Sequence, residues 1–210
     1  MDTQSLIQGL SKDARLTSPR LGVVLAAACG AAAIAAAIGF FYLLHPRTDI
    51  ATAAQTPRFL LKFVLTLVLA ATAASTLFAA ARPGARMHMI LLAVAPVLVA
   101  IAVAAEFMLV PSADWETRWI GSNAPYCLTY IPLIGIVPLA ILLFAVRMGA
   151  PDRPALAGAF AGLLAGGIAA TFYAAHCTDD SPFFVATWYT LAIAVLTLAG
   201  ALFGNRLLRW

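Results

Sequence analysis

Six apolar segments, each long enough to cross a bilayer, fill most of this 210-residue chain and leave it very few ways to fold. They run roughly from Leu21 to Leu44, Phe59 to Ala81, Met89 to Val110, Leu128 to Val146, Ala155 to Ala175 and Phe183 to Phe203. A helical crossing takes about 20 residues at about 1.5 Å each. Hydrocarbon offers the backbone no water, so every amide and carbonyl must pair within its own segment or inside a closed barrel. The alternating pattern of barrel strands is absent. The expectation is therefore an all-α polytopic membrane protein, a six-helix bundle over residues 21–210 preceded by a cytoplasmic tail over residues 1–20. With 63% hydrophobic and only 10% charged residues, and a mean hydropathy of +0.94, the composition excludes an ordinary soluble domain. Pro96, Pro132 and Pro138 predict kinks inside their spans rather than breaks. The first span is too long for a signal peptide and follows about 20 more polar positions, so the N-terminus is expected to be retained.

Loop charge orients the bundle. With the N-terminus inside, the inner loops hold nine basic groups against three acids, a net +6, and the outer loops four basic groups against six acids, a net −2. Both termini are thus expected in the cytoplasm, and the overall charge of +4 needs no nucleic acid to explain it. In this orientation Cys127 opens the fourth span and Cys177 follows the fifth, at one outer mouth. Cys29 lies ~12 Å deep from the inner side, with ~18 Å of hydrocarbon beyond it. A bridge needs Cα atoms within about 7 Å, so Cys29 cannot join the pair and reads as a small packing residue.

Cys177 stands in His176-Cys177-Thr178-Asp179-Asp180-Ser181-Pro182. Thiol, imidazole and carboxylate together suit soft and borderline metal ions, and a protonated His176 would lower the thiol pKa and raise its reactivity. There is no Cys-x-x-Cys, so any metal site has to be assembled across loops. Two readings of Cys127 and Cys177 stay open, a permanent disulfide stapling two helices and a reversible pair answering oxidant or metal. His176 is an interfacial histidine or a ligand. Asp179, Asp180 and Ser181 either support such a site or cap the sixth helix, with Pro182 at its first position.

The remaining polar residues have plainer explanations. Lys62 and Glu106 lie near the outer boundary, where long side chains reach the headgroups, and Trp115, Trp119 and Trp188 suit an aromatic belt. No ionisable residue falls near a bilayer centre, which argues against a pump or ion-coupled transporter. Gly158, Gly162 and Gly166 form a groove along the fifth span, for packing within the bundle or for a homodimer seam. In the tail, Leu6, Ile7, Leu10 and Ala14 share one helical face, with Asp2 or Thr3 as N-cap. So short a helix is marginal alone and should form on meeting a partner groove or the membrane surface.

These residues together closely resemble the NrsF-type membrane anti-sigma factors. The resemblance covers the whole chain. It is carried by Leu6-Ile7-x-x-Leu10-x-x-Asp13, six spans, a cysteine opening span four with Pro125 and Tyr126 before it and Pro132 after it, and His176-Cys177-x-x-Asp180-Ser181-Pro182-Phe183 with Trp188-Tyr189. It implies a bacterial inner-membrane regulator, not an enzyme. Such a regulator holds an extracytoplasmic-function (ECF) sigma factor through cytoplasmic regions and releases it under heavy-metal or oxidative stress. The sensing residues it implies are periplasmic Cys127 and Cys177 with His176, supported by Asp179 and Asp180. Sigma binding would fall to Leu6, Ile7, Leu10 and Asp13, with the inner loops Arg82–His88 and Arg147–Pro154 as a second candidate surface. No cofactor is required, though a heavy-metal ion could bind in passing at the cysteine pair. The partners are the sigma factor and membrane lipid. A membrane thiol-disulfide oxidoreductase and a small-molecule or metal transporter are the rival classes.

Overall fold

A computed structural model describes residues 2–5, 7, 21–85 and 89–209. Eight helices matter here: α1 (Leu21–Leu43), α2 (Ile50–Ala53), α3 (Pro57–Ala80), α4 (Met89–Leu109), α5 (Trp115–Ile120), α6 (Ala124–Arg147), α7 (Pro154–Ala174) and α8 (Pro182–Leu207). All but α2 and α5 are long and apolar enough to cross a membrane. Among the described residues there is no strand.

The span boundaries fall within two residues of expectation at most ends. The exceptions are α6, which begins four residues earlier, at Ala124, and α8, which continues to Leu207. The starts of α6 and α3 have local causes. At α6, Pro125 sits within the first turn, where its missing N–H costs nothing. At α3, Thr56 caps the helix by accepting from the Phe59 amide at 3.4 Å, with Pro57 next. Helix α6 continues without a break through Pro132 and Pro138. Helix α4 opens with a 3-10 segment, Met89–Ala93, just ahead of Pro96, whose ring and missing N–H oppose a regular α turn there.

The core is built around α7, which packs on α8, α3, α6 and α1. Its glycine row is what allows this. A Cβ at Gly158 would run into the Gly200 carbonyl and Gly204, one at Gly162 into the Leu196 carbonyl, and one at Gly167 would meet Ala70 of α3 at 3.1–3.2 Å. The glycine face is thus filled by helices of the same chain. That decides for packing within the bundle and leaves the homodimer seam without this surface. Helix α4, by contrast, lies at the periphery, with only Ala95 and Glu106 buried.

The structure also corrects the reading of Lys62 and Glu106 as headgroup-seeking side chains. Lys62 is 1% exposed and Glu106 3%, and both are ion-paired inside the protein. The segment between α4 and α6, expected as loop, folds into a 3-10 turn, Ser112–Asp114, and α5. Trp119 of α5 stacks on Phe183 at 5.2 Å, and Trp188 of α8 donates to the Trp119 carbonyl at 2.9 Å. In the tail, Asp2 is the residue that caps a short turn, its carboxylate accepting from Gln4 N at 3.5 Å and its carbonyl from Ser5 N at 3.1 Å. Ile7 is 60% exposed. Leu6, Leu10 and Asp13 lie outside the described residues, as do Arg86, Met87 and His88 of the inner loop.

Candidate functional site: a buried thiol chamber

Both expected cysteines are completely buried, in one cluster formed by the end of α7, the start of α6 and the start of α8. Cys127 sits in the first turn of α6, its amide bonded to the Asn123 carbonyl at 2.8 Å. Cys177 lies just past α7, its amide on the Tyr173 carbonyl at 3.1 Å and its sulfur 3.7 Å from the Asp179 carbonyl. Tyr173 and Tyr189 line the same cluster with ring centroids 5.8 Å apart. Both tyrosine hydroxyls are buried with no hydrogen-bond partner among the described residues. Tyr189 closes a π-helical turn, Val185–Tyr189, within α8. Such turns are rare and recur at functional sites.

Around this chamber the segment from His176 to Pro182 is fastened at three points. The Cys177 carbonyl accepts from Lys62 Nζ at 2.9 Å and from Arg47 Nη1 at 3.4 Å. The Asp180 carboxylate pairs with Lys62 Nζ at 2.5 Å and with Arg47 Nη1 at 3.0 Å, and Arg47 is held in turn by Asp49 at 2.6 Å. A buried ammonium is costly unless paired and hydrogen-bonded, and Lys62 has both. The third point is Asp179, whose carboxylate accepts from the Ser122 and Asn123 amides at 3.0 and 2.8 Å and from the Asn123 side chain at 2.9 Å. Asn123 precedes α6, so Asp179 ties the Cys177 loop to the helix carrying Cys127. Gly121 makes this closure possible: its φ of 62° is in the left-handed region, and a Cβ there would strike Phe184 and sit 2.8 Å from the Asp179 carboxylate.

Of the expected site residues, Cys127, Cys177, Asp179 and Asp180 are thus brought together, and His176 is drawn aside. His176 Nδ1 lies 2.7 Å from the His45 carbonyl, which can only accept, so Nδ1 carries the proton and the ring is engaged with the first loop. The two carboxylates act as fasteners, while the helix cap falls to Ser181, which accepts from Phe183 N at 3.3 Å. Among the described residues no group of three or more His, Cys, Asp or Glu could hold a metal ion. Two buried sulfurs without a third ligand do not make a resident zinc-type site, and only a soft, thiophilic ion suits them.

Both thiols are free in the structure. Burial pushes the Cys177 thiol up, with Lys62 pulling the other way. That is opposite to the activated thiolate expected from a neighbouring imidazole. Arg47, Lys62, Gly121, Asn123, Tyr173 and Tyr189 were not singled out as site residues by the sequence pattern. Lys62 did carry a signal, since an ionisable residue inside an apolar span points to an internal partner.

Comparison with known proteins places this geometry in context. The profile of the NrsF family, described as negative regulator of sigma F, matches residues 10–210. The chain belongs to the NrsF family. Along its whole length it is 34% identical to the anti-sigma-F factor NrsF of Caulobacter vibrioides, and 33% identical to a probable anti-sigma-F factor NrsF of Azospira oryzae; each comparison covers all of both chains. No solved structure matches. The NrsF profile takes in the whole chamber and its fasteners, and begins within the tail, after Leu6 and Ile7.

Proposed function

We propose that this NrsF-family chain is an inner-membrane anti-sigma factor that holds an ECF sigma factor on its cytoplasmic side. In this reading it lets go when the thiol chamber, facing the periplasm, is altered by oxidant or by a thiophilic metal ion. The observation that carries the sensing half is the chamber itself: two free, wholly buried cysteines on segments tied together by Asp179 and clamped by Lys62 and Arg47. Family membership supports the sigma-factor half.

The chemistry balances simply with peroxide as oxidant. One molecule takes two hydrogens from the Cys127 and Cys177 thiols, a sulfur–sulfur bond forms, the peroxide O–O bond breaks, and two waters leave. A bridge demands fixed sulfur geometry, so its formation pulls the loop after α7 against the start of α6 and strains the Lys62 and Arg47 contacts on the Cys177 carbonyl. Helix α7, packed without slack on α8 and α3, carries that displacement to the other end of the bundle. There the tail around Leu6, Ile7, Leu10 and Asp13, with the loops at Arg82 and Arg147–Pro154, holds the sigma factor as a helix-in-groove complex. Releasing most of the partner takes several kcal/mol of altered affinity, since each 1.4 kcal/mol is about tenfold.

Co-purification tests the reading. Sigma factor should accompany the membrane-extracted chain under reductant and be lost after peroxide or cadmium. It should also be lost when residues 2–15 are deleted. Full retention by the deleted chain would move the binding surface to the inner loops; equal retention with and without oxidant would sink the release mechanism.

A further inference from the structure

The loosely packed helix α4 leaves a cavity of about 630 Å3 between itself, α3 and α8. This is within the range of about 300–1,000 Å3 typical of small-molecule sites. Its walls are apolar, with Leu65 and Leu69 from α3, Ala95 and Val99 from α4 and Ile193 from α8. It opens sideways beside Ala100 and Leu198, both exposed at mid-span. A charge cluster stands on the same groove. Arg58 precedes Leu65 and Leu69 by seven and eleven residues, and Glu106 follows Val99 and Ala95 by the same intervals, close to two and three whole turns. Arg58 and Glu106 therefore share the faces of α3 and α4 that line the cavity, at its end nearer the thiol chamber. There Glu106 pairs with Arg58 at 3.0 Å and with Arg118 at 3.3 Å. The carboxylate is buried, but the Arg58 and Arg118 side chains are 42% and 35% exposed, so the rim carries two cations against one anion, and each guanidinium has more N–H donors than Glu106 engages.

An apolar groove within the span of a bilayer, capped by a net-positive pair of arginines, has the polarity of an anionic amphiphile. We infer that this is a binding site for an anionic phospholipid, its phosphate on Arg58 and Arg118 and one acyl chain in the groove between α3, α4 and α8. The groove shares Val185 and Tyr189 of its wall with the thiol chamber, but the phosphate contacts use neither cysteine and none of the chamber's fasteners, and the inference does not depend on the sigma-factor reading. Arginine is suited to the task because its fork matches phosphate oxygens.

The test uses the full-length chain in detergent, offered equimolar phosphatidylglycerol and phosphatidylcholine, with bound lipid read by native mass spectrometry. One phosphatidylglycerol should be retained with a preference of about fivefold or more, the worth of one arginine near the surface. Arg58→Gln should bring the ratio towards one. Glu106→Gln, which removes the competing carboxylate, should raise it; a merely structural role would lower binding in both. Ala100→Trp, at the exposed mouth, should evict both lipids, and sn-glycerol 3-phosphate, a headgroup without chains, should not be retained. A wild-type ratio near one overturns the proposal, as does retention of glycerol phosphate matching that of the lipid, or a lipid-free dimer using the groove. The wild-type ratio and the glycerol phosphate arm decide the matter even if a charge variant fails to fold.

Discussion

Lys62 shows most clearly what one residue contributes. It lies inside α3, yet its ammonium reaches the Cys177 carbonyl and Asp180, more than a hundred residues away in sequence. Removing it leaves Asp180 and the Cys177 carbonyl to Arg47 alone, and losing charge-assisted hydrogen bonds of this kind costs about 2 kcal/mol. Lys62→Met should therefore lower the thermal midpoint in detergent by several degrees, and should raise sigma-dependent transcription in unstressed cells; an unchanged midpoint would remove Lys62 from the clamp. The thiol supplies a second prediction at this scale. The Cys177 pKa is raised by burial, so the neutral form is favoured in the fold. This contribution is fully present below the ordinary thiol value of about 8.5 and is lost as pH rises through the elevated folded value. Maleimide should label Cys177 slowly in the folded chain at pH 8 and quickly after denaturation, and equal rates would contradict the buried chamber. The cysteines, the two aspartates and the Ser181 cap were legible in the sequence because each belongs to one short segment. Lys62 and Arg47 were not, because only the folded chain says which carboxylate and carbonyl they face.

At the scale of elements, apolar length alone located all six spans, and the glycine spacing marked the tight face of α7. What spacing could not say was which neighbour fills that face. The answer is α8, through Gly200 and Gly204, with α3 at Gly167. Gly158→Leu and Gly200→Leu should each abolish accumulation of folded protein, since the added side chain meets backbone. Gly30→Ala and Gly39→Ala in α1, where a Cβ meets nothing within 4 Å, should be neutral or stabilising by up to about 1 kcal/mol. Membrane yields of the leucine variants and melting curves of the alanine variants check this, and a tolerated leucine at Gly158 would refute the packing. The 3-10 opening of α4 and the π turn of α8 escaped the pattern. The first needed Pro96 to be placed near a helix start rather than mid-span, and the second ends at Tyr189, whose ring packs against Tyr173 of α7, a contact no local pattern encodes.

The whole molecule joins a tight half, α7 with α8, α3 and α6, to a looser helix, α4, and is fastened at one end around two free thiols. The tight half offers a route from that end to the other, and so to the tail and the inner loops where the sigma factor is proposed to sit. Most of this route was predictable as helices and charge, while the chamber required long-range contacts no single segment encodes. The most direct test of the central claim is sigma-dependent transcription in cells carrying Cys127→Ser with Cys177→Ser, before and after cadmium, dichromate or peroxide. The double variant should repress like the wild-type chain in unstressed cells and lose the stress response, or have it cut at least about tenfold; induction equal to that of the wild-type chain would contradict a sensing role for the thiols.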